Sequence, residues 1–257
     1  MNKISNAFEN KKAFVAFVTG GDPDVETTEN LIIAMATSGV DLIEIGIPFS
    51  DPVAEGPVIQ EADERALANG CTVDQLFEMV KRVRTKVEIP LLFMTYANPV
   101  FAYGKERFMQ NCKACGIDGV IVPDLPFEER DELATECQKY GITQISMIAP
   151  TSKERIETIA KEAEGFIYCV SSLGVTGMRS EIQSSVAEMV NQVRAVSAVA
   201  CAVGFGISTP EQARQMSEVS DGIIIGSAIV RLVAEHGRES VEPVKRFVRE
   251  VKSALES

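Results

Sequence analysis

Glu44, Asp51 and Glu55 put three carboxylates into one short segment, residues 41–57, which begins as a strand and ends as a loop. From Leu42 to Ile47 every residue except Glu44 is apolar or glycine, the pattern of a strand covered on both faces in a parallel sheet. Side chains alternate along a strand, so Ile43, Ile45 and Ile47 share one face, which calls for a helix against it, and Leu42, Glu44 and Gly46 share the other. Gly46 leaves space beside the carboxylate. A carboxyl group held there loses water and rises in pKa, toward the range where it can give and take protons near neutral pH. The competing reading is structural: Glu44 exposed on an edge strand, or neutralised by an arginine from elsewhere. Beyond Ile47, Pro48, Pro52 and Gly56 stop regular structure and hold Asp51 and Glu55 in an ordered loop.

Other chemistries have little to build on. The single histidine, His236, stands in a Glu-His-Gly sequence that reads as an exposed helix end, so Ser-His-Asp, Cys-His and His-ligated metal sites lack their parts. No lysine falls at the end of a predicted strand, which removes the nucleophile of a Schiff-base aldolase. The six cysteines are scattered in apolar company and read as reduced core thiols of a cytoplasmic protein, Cys112-Lys-Ala-Cys115 included. A net charge of -12 argues against nucleic acid and anionic membrane surfaces as partners. The apolar run Ala13 to Thr19 reads as a buried first strand rather than a signal peptide, and no stretch reads as a membrane span.

The elements that must position the carboxylates follow in order. A short amphipathic helix is expected from Ile4 to Lys11, lying across one end of the fold. Strands are expected at Phe14–Thr19, Leu42–Ile47, Pro90–Tyr96, Gly119–Val122, Thr143–Ile148, Phe166–Val170, Ala200–Val203 and Gly222–Ile225. Helical patterns separate them, with Leu31, Ile32 and Met35 marking the first, Thr151 capping the one before Phe166, and Thr209-Pro210 opening the one before Gly222. The last runs from Ser240 to Leu255. Eight strand-helix units without a composition break predict a single (β/α)8 barrel domain over residues 1–257, a TIM barrel with an extra N-terminal helix. A doubly wound open sheet is the second choice, and a G-x-G-x-x-G turn after the first strand is missing.

Barrel enzymes work at the C-terminal ends of their strands. That end receives Glu44 and the loop to Glu55, then Tyr96, Asp124 and Tyr168. The turns after the seventh and eighth strands bring Gly204, Gly206, Gly226 and Ser227, whose backbone N–H groups and helix N-terminus suit a phosphate. The chemistry left is proton transfer between carboxylates and a phosphorylated substrate, with no organic cofactor.

The segment Ile43-Glu-Ile-Gly-Ile-Pro-Phe-Ser-Asp-Pro-Val-Ala-Glu-Gly-Pro57 closely resembles the signature of the tryptophan synthase alpha subunit family. Phe17-Val-Thr-Gly-Gly-Asp-Pro, Tyr96-Ala-Asn-Pro, Pro123-Asp-Leu-Pro, Gly174-Val-Thr-Gly, Gly204-Phe-Gly and Gly226-Ser-Ala-Ile-Val match it in family order. The resemblance implies a lyase that cleaves indole-3-glycerol phosphate, by a retro-aldol step, to indole and glyceraldehyde 3-phosphate. It implies Glu44 as acid-base catalyst, Glu55 as the acid facing the indole N–H, and Tyr168 as an active-site tyrosine. Phe17 would pack on the indole, Thr176 would belong to the lid, and Gly177, Gly206, Gly226 and Ser227 would hold the phosphate. It further implies a beta subunit, carrying pyridoxal phosphate in an alpha2beta2 complex, with the segments near Asp51 and Pro126 facing it; this chain would carry no cofactor. Glu55 departs from the family pattern, where Asp is expected. Two other readings stay open: a non-catalytic regulatory barrel that binds a phosphorylated ligand, and a phosphate-handling isomerase.

Overall fold

The computed structural model describes residues 3–150, 152–170, 179–204 and 206–256. Its strands are β1 (Ala13–Thr19), β2 (Leu42–Gly46), β3 (Leu91–Met94), β4 (Gly119–Ile121), β5 (Thr143–Gln144), β6 (Ser146–Ile148), β7 (Phe166–Val170), β8 (Ala200–Gly204) and β9 (Gly222–Ile225). All pairings are parallel, in the order β5-β4-β3-β2-β1-β9-β8-β7-β6. The two ends of that order are β5 and β6, joined through Ile145 alone, so the chain closes the barrel by passing from one pairing to the other. The fifth predicted strand, Thr143–Ile148, is thus one course with a hand-over in its middle. Ile145 donates its N–H to Val120 O at 2.9 Å, the last bond to β4 before the chain pairs with β7.

Side-chain alternation divides the apolar residues into an inner and an outer set. Val15 and Phe17 of β1, Leu42 of β2, Leu92 and Met94 of β3, Phe166 and Tyr168 of β7 and Ile224 of β9 pack together inside the barrel. Ile43, Ile45 and Ile47 face outward with Phe14, Ala16 and Phe93. There they meet α2 (Val25–Thr37), through the expected Leu31, Ile32 and Met35, and α4 (Val73–Arg84). Cys112 and Cys115 are buried in the same layer, and all six cysteines are free thiols. On the far side α8 (Lys153–Glu162) and α9 (Arg179–Arg194) cover β7 and β8. Ser152 caps α8, accepting from Arg155 N at 3.3 Å, and Thr151 lies outside the described residues. Thr209 caps α10 (Pro210–Ser217) as the sequence indicates.

The N-terminal element is shorter than the Ile4–Lys11 expectation. Helix α1 is Lys3–Asn6, and the chain continues in i to i+3 turns to Glu9, before Asn10, whose φ of 57° ends any helix. Its role matches the expectation, because Ile4 and Phe8 close the N-terminal mouth of the barrel. Glycines make the room: a Cβ on Gly119 or Gly165 would sit 3.1 Å from Ile4, and one on Gly222 would sit 2.9 Å from Phe8. Phe8 stacks on Phe166 with ring centroids 5.2 Å apart. A second difference is α5 (Ala97–Tyr103), a helix not foreseen between β3 and α6 (Lys105–Cys115). Pro99 lies in its first turn, where a missing N–H costs nothing, and its first N–H, from Ala97, goes to Asp124 Oδ1 at 2.9 Å. Asp124, at the strand end where the sequence puts it, thus caps the start of α5.

Ile4→Ala should cost about 2–4 kcal/mol, since the side chain is fully buried against Gly119 and Gly165 and its removal leaves a cavity there. Denaturant unfolding measures the loss. The catalytic rate below the melting range should stay as it is, because the plug lies at the opposite mouth from the carboxylates.

Candidate active site

The register around β2 sets the environment of Glu44. It stands between Phe17 of β1 and Leu92 of β3, all three pointing into the barrel, so an ionisable side chain is walled by an aromatic ring and a leucine. Glu44 is 0 % exposed and neither carboxyl oxygen has a hydrogen-bond partner. Both structural alternatives, an edge position and an arginine partner, are thereby set aside. Loss of water alone raises its pKa from an ordinary 4.5 to about 8. The carboxyl is protonated at neutral pH with its proton free to be given away.

The space expected beside Gly46 is filled by Phe17. A Cβ on Gly46 would lie 2.6 Å from the Phe17 ring, and one on Gly226 would lie 3.2 Å from the same side chain. The two glycines let the ring lie flat at the top of the barrel, where it forms an apolar wall next to Glu44. Tyr168 is accommodated in the same way: a Cβ on Gly204 would sit 2.5 Å from its hydroxyl. Burial pushes the Tyr168 phenol well above 10, and the nearby Glu44 and Glu55 push it further, so it stays neutral and able to donate.

Glu55 leaves the acidic loop toward the same mouth. Burial raises its pKa, a hydrogen bond from the Tyr96 hydroxyl lowers it, and its Oε2 is buried without a partner. Tyr96 Oη also accepts from Ala54 N at 3.1 Å, and its ring packs on Phe49 with centroids 5.4 Å apart. Asp51 is exposed at the outer edge of the loop.

For an anion, α11 (Ser227–His236) offers its N-terminus. Gly226 is its N-cap without a side-chain cap bond, and Ser227 is exposed at the first helical position. Gly206, beyond β8, adopts φ +77°, open to glycine alone without strain, and has nothing near its Cβ direction. Such a helix start with glycines beside it suits a phosphate. Thr176 and Gly177 lie outside the described residues, as does Phe205. The sequence reading missed Asp63 on α3 (Pro57–Ala68): it is buried at 4 % exposure beside Ala62 and Ala66, which are fully buried. An acid on a stripe of small apolar residues at helical spacing was the available signal.

Among the described residues no group of His, Cys, Asp or Glu is arranged to hold a metal, and no helix is long and apolar enough to cross a membrane.

A (β/α)8 barrel that gathers a dry, protonated carboxyl, a neutral phenol and a second acid around an apolar wall, with an uncapped helix N-terminus at the same mouth, has the parts of a proton-transfer enzyme. The sequence model of the family described as "Tryptophan synthase alpha chain" matches residues 4–256. The tryptophan synthase alpha chain of Lacticaseibacillus casei is 45% identical over 257 residues, covering 100% of this chain and 97% of the relative. That of Thermoanaerobacter sp. (strain X514) is 45% identical over 262 residues, covering 99% and 100%. The solved tryptophan synthase subunit alpha of Legionella pneumophila str. Paris superposes with a TM-score of 0.90 at 37% identity, over 100% of this chain and 99% of that one. The chain belongs to the tryptophan synthase alpha chain family.

Glu44 also leaves a mark on stability. Its carboxyl ionises near 4.5 in the unfolded chain and near 8 in the fold, so its contribution is full below pH 4.5 and drains away as pH rises to 8. Glu44→Gln has no such titration. Its melting temperature should exceed that of the wild type at pH 8, by the equivalent of on the order of a few kcal/mol, with the gap closing toward pH 4.5.

Proposed function

We propose that Glu44 is the acid-base group of the family's reaction, the cleavage of indole-3-glycerol phosphate to indole and glyceraldehyde 3-phosphate. The activity itself comes with membership: the chain is a carbon-carbon lyase of tryptophan biosynthesis. The observation that carries the assignment of Glu44 is its protonated, unpartnered carboxyl at about pKa 8, sealed among apolar side chains inside the barrel. Breaking the bond from the indole ring to the glycerol phosphate chain needs a proton delivered to the ring carbon that bears the chain. It also needs the neighbouring hydroxyl proton removed as that hydroxyl becomes an aldehyde. Glu44 in its acid form does the first, and the carboxylate left behind assists the second. Protonating the ring carbon puts positive charge on the ring nitrogen, and Glu55, with Oε2 unpaired, is the group to meet it.

Phe17 offers its ring face to the indole, and Tyr168 stands by as a neutral donor. The N-terminus of α11 with Gly226, Ser227, Gly206 and Gly177 takes the phosphate, and Thr176 has the lid role that the family resemblance gives it. The barrel uses no cofactor of its own in this scheme. Its partner is a tryptophan synthase beta subunit, in an alpha2beta2 complex with pyridoxal phosphate in the beta chain. Val53 at 78% and Phe101 at 43% exposure are the large apolar side chains most open to water among those described. Both lie on segments at the active mouth, in keeping with a partner docking there. Nothing favours the non-catalytic barrel or the isomerase.

Indole release, followed optically against a chain that has no tryptophan, tests the assignment. Glu44→Gln should lower kcat by about 10²–10⁴-fold, and Glu55→Gln by on the order of 10²-fold. The wild-type kcat should fall as pH rises through about 8, where the acid form of Glu44 is lost. A Glu44→Gln enzyme of near-normal rate would remove Glu44 from the mechanism.

A further inference from the structure

Helix α3 does not pack like the helices around the sheet. Val58 and Ile59 on its first turn and Ala62 on its second pack with the inner barrel set that includes Phe17 and Tyr168, so α3 lies over the active mouth instead of against the outer face. Its front end follows Glu55 directly: Gly56 is the N-cap, and Gln60 donates Nε2 to Glu55 O at 2.7 Å. Its rear half is held by the turn after β1. Arg65 donates Nε and Nη2 to the two carboxyl oxygens of Asp22, both at 2.9 Å, and Asn69 donates Nδ2 to Pro23 O at 2.8 Å. A small residue lets the helix come this close, since a Cβ on Gly21 would lie 3.6 Å from that of Ala66. The same turn is fixed to β2, where Gly20 N–H donates to Gly46 O at 2.8 Å, two residues beyond Glu44. The strand of Glu44 and the helix behind Glu55 therefore meet at one joint, the turn that holds Gly20 and Asp22.

We infer that Arg65 is a positioning residue for the cleavage: its two-bond grip on Asp22 sets where α3, and the Glu55 carboxyl at its front, stand relative to Glu44. The inference rests on the role given to Glu55 above. An exposed ion pair would do little, because water and salt screen it and both side chains can swing away. This pair differs in burial and in geometry. Asp22 is 1 % exposed, and it receives two parallel bonds from the planar fork of a guanidinium, which fixes the direction of approach as well as the distance. A lysine in the same place would keep the charge but hold Asp22 by a single point, leaving α3 free to pivot. The chemistry is sensitive to such a pivot. Glu44 delivers a proton to the ring carbon while Glu55 meets the charge that appears on the ring nitrogen, so the two acids must stand at a set separation in the transition state, and a small displacement of one is felt there more than in binding.

A double-mutant cycle on indole release tests this, with kcat and KM measured for wild type, Arg65→Lys, Glu55→Gln and the two together. Arg65→Lys should lose about tenfold in kcat with KM changed less. In the Glu55→Gln background the same change should cost less than about twofold, because the group being positioned is already gone. The pH at which kcat falls should stay at about 8 in Arg65→Lys, since Glu44 remains dry on β2. Asp22→Asn, which leaves no buried charge behind, takes the place of Arg65→Lys in the cycle if the lysine variant does not fold, and should behave alike. An unchanged kcat overturns the proposal, as does an equal loss in both backgrounds. A fall in kcat that moves to lower pH also overturns it, for it means that water has reached Glu44 and the barrel has loosened as a whole. Glu55→Gln at the wild-type rate would remove the role of Glu55 and this proposal with it, whereas a slow Glu55→Gln beside an unimpaired Arg65→Lys would overturn the proposal alone.

Discussion

A carboxyl group kept out of water in the middle of a sheet is the constraint around which this chain is built. Left alone, Glu44 would ionise and pull water in. What prevents that is the closure of the barrel on every side: Phe17 and Leu92 flank it along the sheet, Ile4 and Phe8 stop the mouth below, and Ile145 hands the fifth strand from β4 to β7. The resulting tension is deliberate in the chemical sense, because a carboxyl in bulk water would hold no proton to deliver at neutral pH. Stability is given up at one residue to keep a proton where the substrate's ring arrives.

Much of this was legible in the chain itself. The Leu42–Ile47 run showed both the strand and the misfit acid, because alternation puts Glu44 opposite the isoleucines whatever the fold turns out to be. Eight strand-helix units and the absence of breaks gave the barrel. The elements that escaped are those decided by packing between distant residues. Gly46 reads locally as an opening, and only the register of β1 against β2 shows that Phe17 fills it. Helix α5 hid behind Pro99, which looks like a breaker until it falls in a first turn. The N-terminal helix stopped at Asn6 because its remaining residues are recruited to plug the barrel, a demand no local pattern records.

The site was legible in the same uneven way. Glu44 and Glu55 announce themselves, being acids in apolar or proline-bound company. Asp63 does not, since α3 carries other acids and a helix with charges on its outer face looks ordinary. Its meaning comes from facing inward, on the buried stripe of α3 with Ala62 and Ala66.

The plug at the N-terminal mouth has a consequence for how the molecule is made. Ile4 and Phe8 precede every part of their seat in the chain, since it is assembled from Gly119, Gly165, Phe166 and Gly222, contacts of long sequence separation. Vectorial synthesis therefore delivers the stopper long before the bottle. Contacts of such sequence separation carry a large loop-closure cost and form late, so the nascent chain carries two exposed apolar side chains until the last strand is in place. During that interval it is open to association with other chains and to the chaperones that guard against it.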